Sequence, residues 1–309
     1  MKSGSEKRSK NRKRYLPLLF MTLPGCIYLI INNYIPMFGV TIAFKNYNYA
    51  KGYFHSDWVG FKNFEFLFRS PNLVRIIRNT LLYNLAFIVL STIIAVMLAV
   101  IMNEIRSKIV TRIFQTAILL PYIISMVLVS YIVYSFLNPE HGFINNTILP
   151  IFGLTPVAWY YTAKPWIVII PIVYLWKNVG FSTIIYFASV VGIDQELYEA
   201  AKVDGAAKWK QITNITLPQL TPVVSIMTIL AIGRIFSADF GLFYQVPMNS
   251  SAIYSTTQVV ETYVYQALLK VKDVGMSSSV GLLQSVIGCA LLLSANTVVR
   301  RLNKDNALL

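Results

Sequence analysis

The chain has 309 residues, 56% hydrophobic and 13% charged, with a mean hydropathy of +0.57. A soluble domain carries about 25% charge, so there is too little polar surface to cover one, and 18 Phe, 19 Tyr and 5 Trp exclude a disordered chain. The charge is lopsided, 27 Lys+Arg against 13 Asp+Glu, and a net +14 in so apolar a chain points to cations beside a membrane rather than on nucleic acid.

A bilayer core about 30 Å thick needs about 20 apolar residues of helix. In chain order, a basic tail over residues 1–14 (Lys2, Lys7, Arg8, Lys10, Arg12, Lys13, Arg14) precedes six such runs. Tyr15–Phe44 is free of charge and punctuated by Pro17, Pro24 and Pro36. It is too long for a secretory signal and no A-x-A site follows, so it reads as a retained first span. Asn79–Asn103 is the second and Ile113–Pro139 the third. Trp166–Ile193, interrupted by Lys177, is the fourth. The fifth runs from Leu217 to about Ala238, interrupted by Arg234, and Gly275–Val299 is the sixth. The reading is an all-α membrane protein with six transmembrane helices, multi-pass in the plasma or inner membrane.

An even number of spans puts both termini on one side. With the N-terminus inside, the inner segments hold the seven tail cations, then Arg106, Lys108 and Arg112, then Lys202, Lys208 and Lys210, and finally Arg300, Arg301 and Lys304, sixteen of the 27. The outer segments hold nine, among them Arg69, Arg75 and Arg78, which suggest an interfacial helix ahead of the second span. The bias favours cytoplasmic N- and C-termini. Nucleic acid is not an expected partner; the lipid bilayer is. Cys26 and Cys289 both fall inside predicted spans, without disulfide or metal-ligand spacing, and are expected to pack in the core.

No phosphate loop of the G-x-x-x-x-G-K-[ST] type, no H-E-x-x-H and no G-x-S-x-G elbow is present. The two histidines, His55 and His141, fall in predicted outer loops as lone solvated residues. No catalytic residue, cofactor site or metal site is expected on this chain.

The informative segment lies between the fourth and fifth runs, residues 194–218. Asp194 is placed to cap a helix starting at Gln195, with Glu196 in the first turn where it suits the helix dipole. Asp204-Gly205 then breaks the helix, since glycine adopts a left-handed turn cheaply. A second short helix, Ala206–Asn214, carries Trp209 and Ile212, and Pro218 marks entry into the fifth span. Pattern alone is satisfied by an amphipathic hairpin that merely joins two spans. The spacing is more specific: Glu199-Ala200-Ala201, three residues, Gly205, nine residues, Ile215, one residue, Leu217-Pro218. This resembles, at every defined position, the EAA loop of ATP-binding-cassette (ABC) importer permeases. The "WKNVGF" stretch from Trp176 and the "GLLQSVIGCALLL" run before Arg300-Arg301 are also similar to that family. More narrowly, the whole chain resembles sugar and oligosaccharide permeases of the maltose-transporter class, in the subgroup handling polysaccharide fragments. Gln195 departs from the pattern, where relatives commonly carry proline.

The resemblance implies a type I importer fold in which 15–309 is a single transmembrane permease domain, with its core at about 75–299 and a coupling loop at 194–218. It implies a second homologous permease subunit in a heterodimer, two cytoplasmic ATPase subunits that bind ATP and Mg, and an external solute-binding protein that delivers a glycan. Glu199, Ala200, Ala201, Asp204, Gly205, Ile215, Leu217 and Pro218 would then couple the spans to an ATPase.

The two cations inside predicted spans are a separate signal, because an intramembrane charge faces a cavity or a partner. Sugars need aromatic faces to stack on and amides or charges to bond hydroxyls. Trp176, Lys177, Asn178, Tyr186 and Arg234 are therefore candidates for a substrate path. The alternative is that Lys177 and Arg234 pair structurally, with Asp239 or with helix-end carbonyls. Gly281, Ser285 and Gly288 provide small residues for close packing, and Trp159, Tyr160 and Tyr161 an interfacial belt. Asn138–Pro165 and Asp239–Val274 are long outer segments suited to receiving the binding protein. The rival class is an ion-coupled secondary transporter, which usually carries acidic relays in its spans; the clear intramembrane charges here are cations.

Overall fold

Each apolar run forms helix, and the prolines decide where the helices are irregular. The structure, a computed structural model, describes residues 17, 19–69 and 72–302. The basic tail at 1–14 lies outside these residues. Among them are five continuous helices long and apolar enough to cross a membrane: α1 (Leu19–Phe44), α3 (Leu73–Asn103), α6 (Trp166–Val191), α8 (Lys208–Ile232) and α11 (Val274–Leu302). The sixth is broken. The run read as one span over Ile113–Pro139 is two helices, α4 (Lys108–Ile123) and α5 (Met126–Leu137), bent by 96°. Pro121 withholds a backbone N–H inside the last turn of α4. Ser125 then starts α5 anew, its side chain accepting from the Leu128 N–H at 3.4 Å. Shorter helices are α2 (Lys62–Arg69), α7 (Gln195–Val203), α9 (Phe240–Gln245) and α10 (Val260–Val271). Arg75 and Arg78 belong to the first turns of α3 itself rather than to a separate interfacial helix.

Three wide turns share one cause. The stretches Ile30–Tyr34, Ile144–Ile148 and Ile212–Thr216 are π-helical, and each closes with an N–H reaching back five residues, from Ile35 to Ile30, Leu149 to Ile144 and Leu217 to Ile212. The next residue in each case is a proline, Pro36, Pro150 or Pro218. A proline cannot bond the carbonyl four residues back, and its ring collides with it. Widening the turn relieves both problems.

The described residues fall into two compact units, one within 1–69 and 270–282, the other within 70–269 and 283–309. In the first, strands β1 (Lys45–Asn46) and β2 (Asp57–Trp58) pair antiparallel, Lys45 opposite Trp58. The Lys45 ammonium is buried; it donates to the Tyr53 carbonyl at 3.0 Å and lies over the Tyr53 and Trp58 rings. The Asn63 amide donates to the Ala43 and Lys45 carbonyls at 2.9 Å, and the Ser279 hydroxyl donates to the Asn63 carbonyl.

The second unit is organised on α6. One core joins Tyr83 and Phe87 of α3, Val129 of α5, Trp166, Ile170 and Val173 of α6, and Leu242 and Phe243 of α9. Phe87 stacks on Tyr174 with ring centroids 3.8 Å apart. A second core sets Tyr186 and Val179 of α6 against the small residues Ala95 and Ala99 of α3. Helices in lipid gain little from apolar burial as such, so close packing and internal hydrogen bonds carry the association. Gly288 of α11 illustrates it: a Cβ there would lie 2.5 Å from the Gly233 carbonyl oxygen. Of the three small residues noted in the sixth run, Gly281 has open space instead. Cys26 and Cys289 are both exposed, so neither packs in the core. The expected belt at 159–161 also resolves differently, because Tyr160 is buried against Trp166 while Tyr161 is exposed.

Candidate functional site

The segment 194–218 forms the predicted helix, turn and second helix, with one correction. Asp194 caps α7, its carboxylate accepting from the Glu196 N–H at 3.0 Å. At the far end Gly205 has φ +74°, its N–H donates to Lys202 and the Ala206 N–H donates to Ala201. This paired 5→2 and 6→1 closure is the Schellman arrangement, and only glycine enters it without steric cost. The second helix is not a separate Ala206–Asn214 piece. It begins at Lys208 and runs through the π-turn into the fifth span as one helix of 25 residues. Pro218 therefore sits inside α8, just after the wide turn, rather than at an entry point.

Tyr198, Thr216, Gln211 and Glu104, none singled out by the sequence, fasten the hairpin. Tyr198 is buried and its hydroxyl pairs with the Thr216 hydroxyl at 2.9 Å. The Gln211 amide donates to the Ala206 carbonyl at 2.8 Å, and Lys208 forms an ion pair with Glu104, just past the end of α3, at 2.8 Å. No local pattern marks them, since each acts through a partner elsewhere in the chain. Glu199, Ala200, Asp204, Gly205, Leu217 and Pro218 are exposed, while Ala201 and Ile215 are half-buried. Val203 and Trp209 are exposed by 88% and 74%, a large apolar display on so short a hairpin. Beside it, an apolar groove of about 690 Å³ runs between α3 and α8, lined by Val96, Val100, Trp209, Ile212 and Leu220 among others.

The five path candidates do not converge. Lys177 is buried under the α4–α5 break, its ammonium donating to the carbonyls of Ile124 (2.6 Å), Tyr122 (3.0 Å) and Pro121 (3.3 Å). It therefore holds the helix-end carbonyls that the bend leaves without partners. Gly180, one turn on, lets α6 touch α4: a Cβ there would fall 1.8 Å from the Ile118 carbonyl oxygen. Phe181 stacks on Tyr122 beside this joint. Trp176 is exposed, the Asn178 amide donates back to the Tyr174 carbonyl, and Tyr186 is locked in the α3–α6 core. Arg234 is not within a span, because α8 ends at Ile232 and Gly233 caps it. Arg234 and Asp239 form no ion pair among the described residues; Asp239 instead caps α9 through the Leu242 N–H.

A buried polar seam ties α3 to the segment after α8. The Asn79 amide donates to the Ser255 and Gln258 carbonyls, the Thr80 hydroxyl accepts from the Val260 N–H, and the Asn84 amide donates to the Ile235 and Ser237 carbonyls. At its centre one Glu261 oxygen accepts from the Ala238 N–H and the Gln284 amide, while its second oxygen is buried without a partner. Burial raises the Glu261 carboxyl above the ordinary range, against the lowering effect of those bonds. A folded value above the unfolded one favours the protonated form on folding. The stabilisation is complete below the unfolded value, about 4.3, and is lost as pH rises through the folded one. Unfolding midpoints of the micelle-bound protein should therefore fall as pH rises above about 4.3, and Glu261→Gln should flatten that slope.

A tethered hairpin continuous with a span, on a helical membrane scaffold, is the arrangement that the resemblance to ABC-importer transport subunits leads one to expect. Residues 88–304 match the family of binding-protein-dependent transport system inner membrane components, and the chain belongs to that family. Membership sets aside the ion-coupled secondary transporter. The chain is 33% identical over 298 residues to Protein LplB of Bacillus subtilis (strain 168), covering 95% of this chain and 91% of the relative. It is 32% identical over 294 residues to YteP of the same organism, a polygalacturonan/rhamnogalacturonan transport system permease, covering 95% and 90%. Among solved structures it superposes at a TM-score of 0.86 and 32% identity on a chain of a bacterial ABC transporter that imports the acidic polysaccharide alginate, over 96% of this chain and 99% of that one. A second match, at 0.85, comes from a bacterial alginate transporter in complex with an alginate pentasaccharide-bound periplasmic protein.

Proposed function

We propose that this permease carries an oligosaccharide, working as one half of a heterodimer with a second permease. Two ATPase subunits binding ATP and Mg dock on the 194–218 hairpin from the cytoplasm, and an external binding protein delivers the sugar on the opposite side. The N- and C-termini are cytoplasmic, on the bias of sixteen inner cations against nine outer ones. The observation that carries the reading is the continuity of the hairpin with α8: a push on the exposed face around Glu199, Ala200 and Val203 passes through the Tyr198–Thr216 bond into a spanning helix. Alternating access needs such a rigid lever. Saccharide chemistry is supported by the relatives, which include the polygalacturonan/rhamnogalacturonan permease and arabinooligosaccharide permeases from two organisms. Lys177 and Tyr186 serve the scaffold in this reading, leaving Trp176 and Asn178 as the path residues on α6.

The test is to purify the chain from its native membrane and reconstitute what comes with it. An ATPase and a second permease should co-purify, and uptake into vesicles should require ATP. A chain that transports alone, driven by an ion gradient, would overturn the reading.

A further inference from the structure

One cavity is untouched by the coupling hairpin. It measures about 420 Å³ and lies between the two long segments 138–165 and 239–274, within the range of about 300–1,000 Å³ usual for small-ligand sites. Its lining is unlike that of the apolar groove: Tyr134, Tyr160 and Tyr161 supply aromatic faces, Asn138, Glu140 and Ser250 polar groups, and no lining residue is cationic.

The cavity is built rather than incidental. Asn138 fixes one wall, its side-chain oxygen accepting the Glu140 and His141 N–H groups at 2.9 Å. Gly142 closes that turn where no Cβ fits, since one would lie 2.4 Å from the Asn138 carbonyl oxygen. The opposite wall is a strained turn in which Met248 and Asn249 have φ of 52° and 48°, a region that side chains other than glycine enter only when the surroundings hold them there. It is held by the Ser250 hydroxyl donating to the Tyr160 carbonyl at 2.7 Å and by the Tyr254 hydroxyl and Gln266 amide gripping the Asn249 side chain. Tyr160 is 7% exposed, and its buried hydroxyl bonds to no protein group. Tyr161 beside it is 73% exposed.

We infer that this cavity is a saccharide subsite selective for uncharged sugar rings. Tyrosine faces stack on the C–H face of a sugar, and the Asn138 amide, the Glu140 carboxylate and the exposed Tyr161 hydroxyl bond its hydroxyls. Glu140, 3.9 Å from the His141 imidazole, is the one charged group in the lining and repels a uronate. This rests on the oligosaccharide reading above.

The test uses the full chain in lipid nanodiscs and saturation-transfer NMR with three probes: maltotriose, arabinotriose and trigalacturonate. Wild-type protein should bind at least one neutral trisaccharide and not trigalacturonate. Tyr161→Ala should weaken that binding at least fivefold. Tyr160→Phe removes only a hydroxyl sealed from solvent, so it is the control: thermal stability and binding should both hold. Glu140→Gln should admit trigalacturonate. Binding of none of the three, equal binding by wild type and Tyr161→Ala, or a wild-type preference for trigalacturonate would each overturn the subsite. ATP-driven uptake by the assembled complex separates the two readings: if it persists while the subsite fails, the importer stands without it, and if it is absent, the importer reading fails.

Discussion

Gly180→Ala should destabilise the permease by about 2–3 kcal/mol, although the same change in an open helix position is stabilising. The added Cβ would fall 1.8 Å from the Ile118 carbonyl oxygen and 2.5 Å from its carbon, both backbone atoms that no rotamer change can move aside. Overpacking costs about 1–3 kcal/mol and occasionally more, and alanine returns up to about 1 kcal/mol of helix propensity. Clash wins here because α4 is not free to retreat. Its final carbonyls are held by Lys177, three residues before Gly180 on the same face of α6. Lys177→Met should cost about 2–3 kcal/mol for the lost charged hydrogen bonds. The double variant should cost less than the sum, because either change already loosens the same joint. Gly281→Ala is the control: nothing lies within 4 Å of its Cβ, so stability should be unchanged or slightly raised. Denaturant titration of the purified, micelle-bound chain reads all four. Equal effects of Gly180→Ala and Gly281→Ala would show that the α4–α6 contact does not hold the bundle.

The two members of this joint differ in how far the sequence exposes them. Lys177 is conspicuous because a cation in an apolar run needs a reason, and helix-end carbonyls were one of its two readings. The bend it serves is not conspicuous. Residues 113–139 read as one span because hydropathy counts apolar residues and is blind to direction, and the break hangs on a single withheld N–H at Pro121 and a serine cap at Ser125. The same blindness hid the π-turn before Pro218, where a local rule about proline at helix starts misplaced the boundary of α8. Arg234 failed for a related reason: the apolar run continues past the helix, which Gly233 ends. The caps of α7 were fully legible because they depend on one residue each, Asp194 and Gly205, with φ and side-chain chemistry that few others supply. Tyr198, Thr216, Gln211 and Glu104 were not, since each matters only through a partner from 5 to 104 residues away.

Gly205→Pro should abolish uptake while the chain still inserts in the membrane. The native φ is +74°, whereas proline fixes φ near −65° and carries no N–H. The bond from the Gly205 N–H to Lys202 is lost outright, and the reversed turn also withdraws the Ala206 N–H from Ala201. The damage is local. Gly205 is exposed, no atom packs within 4 Å of its Cβ position, and the spanning helices make their contacts elsewhere. Insertion and fold therefore survive, but α7 no longer meets α8 at the angle that carries a push into the fifth span. Two milder variants grade the effect. Asparagine tolerates the left-handed region, so Gly205→Asn should retain most of the uptake. Alanine enters it at a cost of about 1–2 kcal/mol, so Gly205→Ala should retain part. ATP-driven uptake in vesicles containing the co-purified partners, with membrane levels of each variant measured alongside, should rank glycine, asparagine, alanine and proline in that order. Equal uptake across the four would sever the hairpin from transport, and loss of the proline variant from the membrane would place the turn in folding instead.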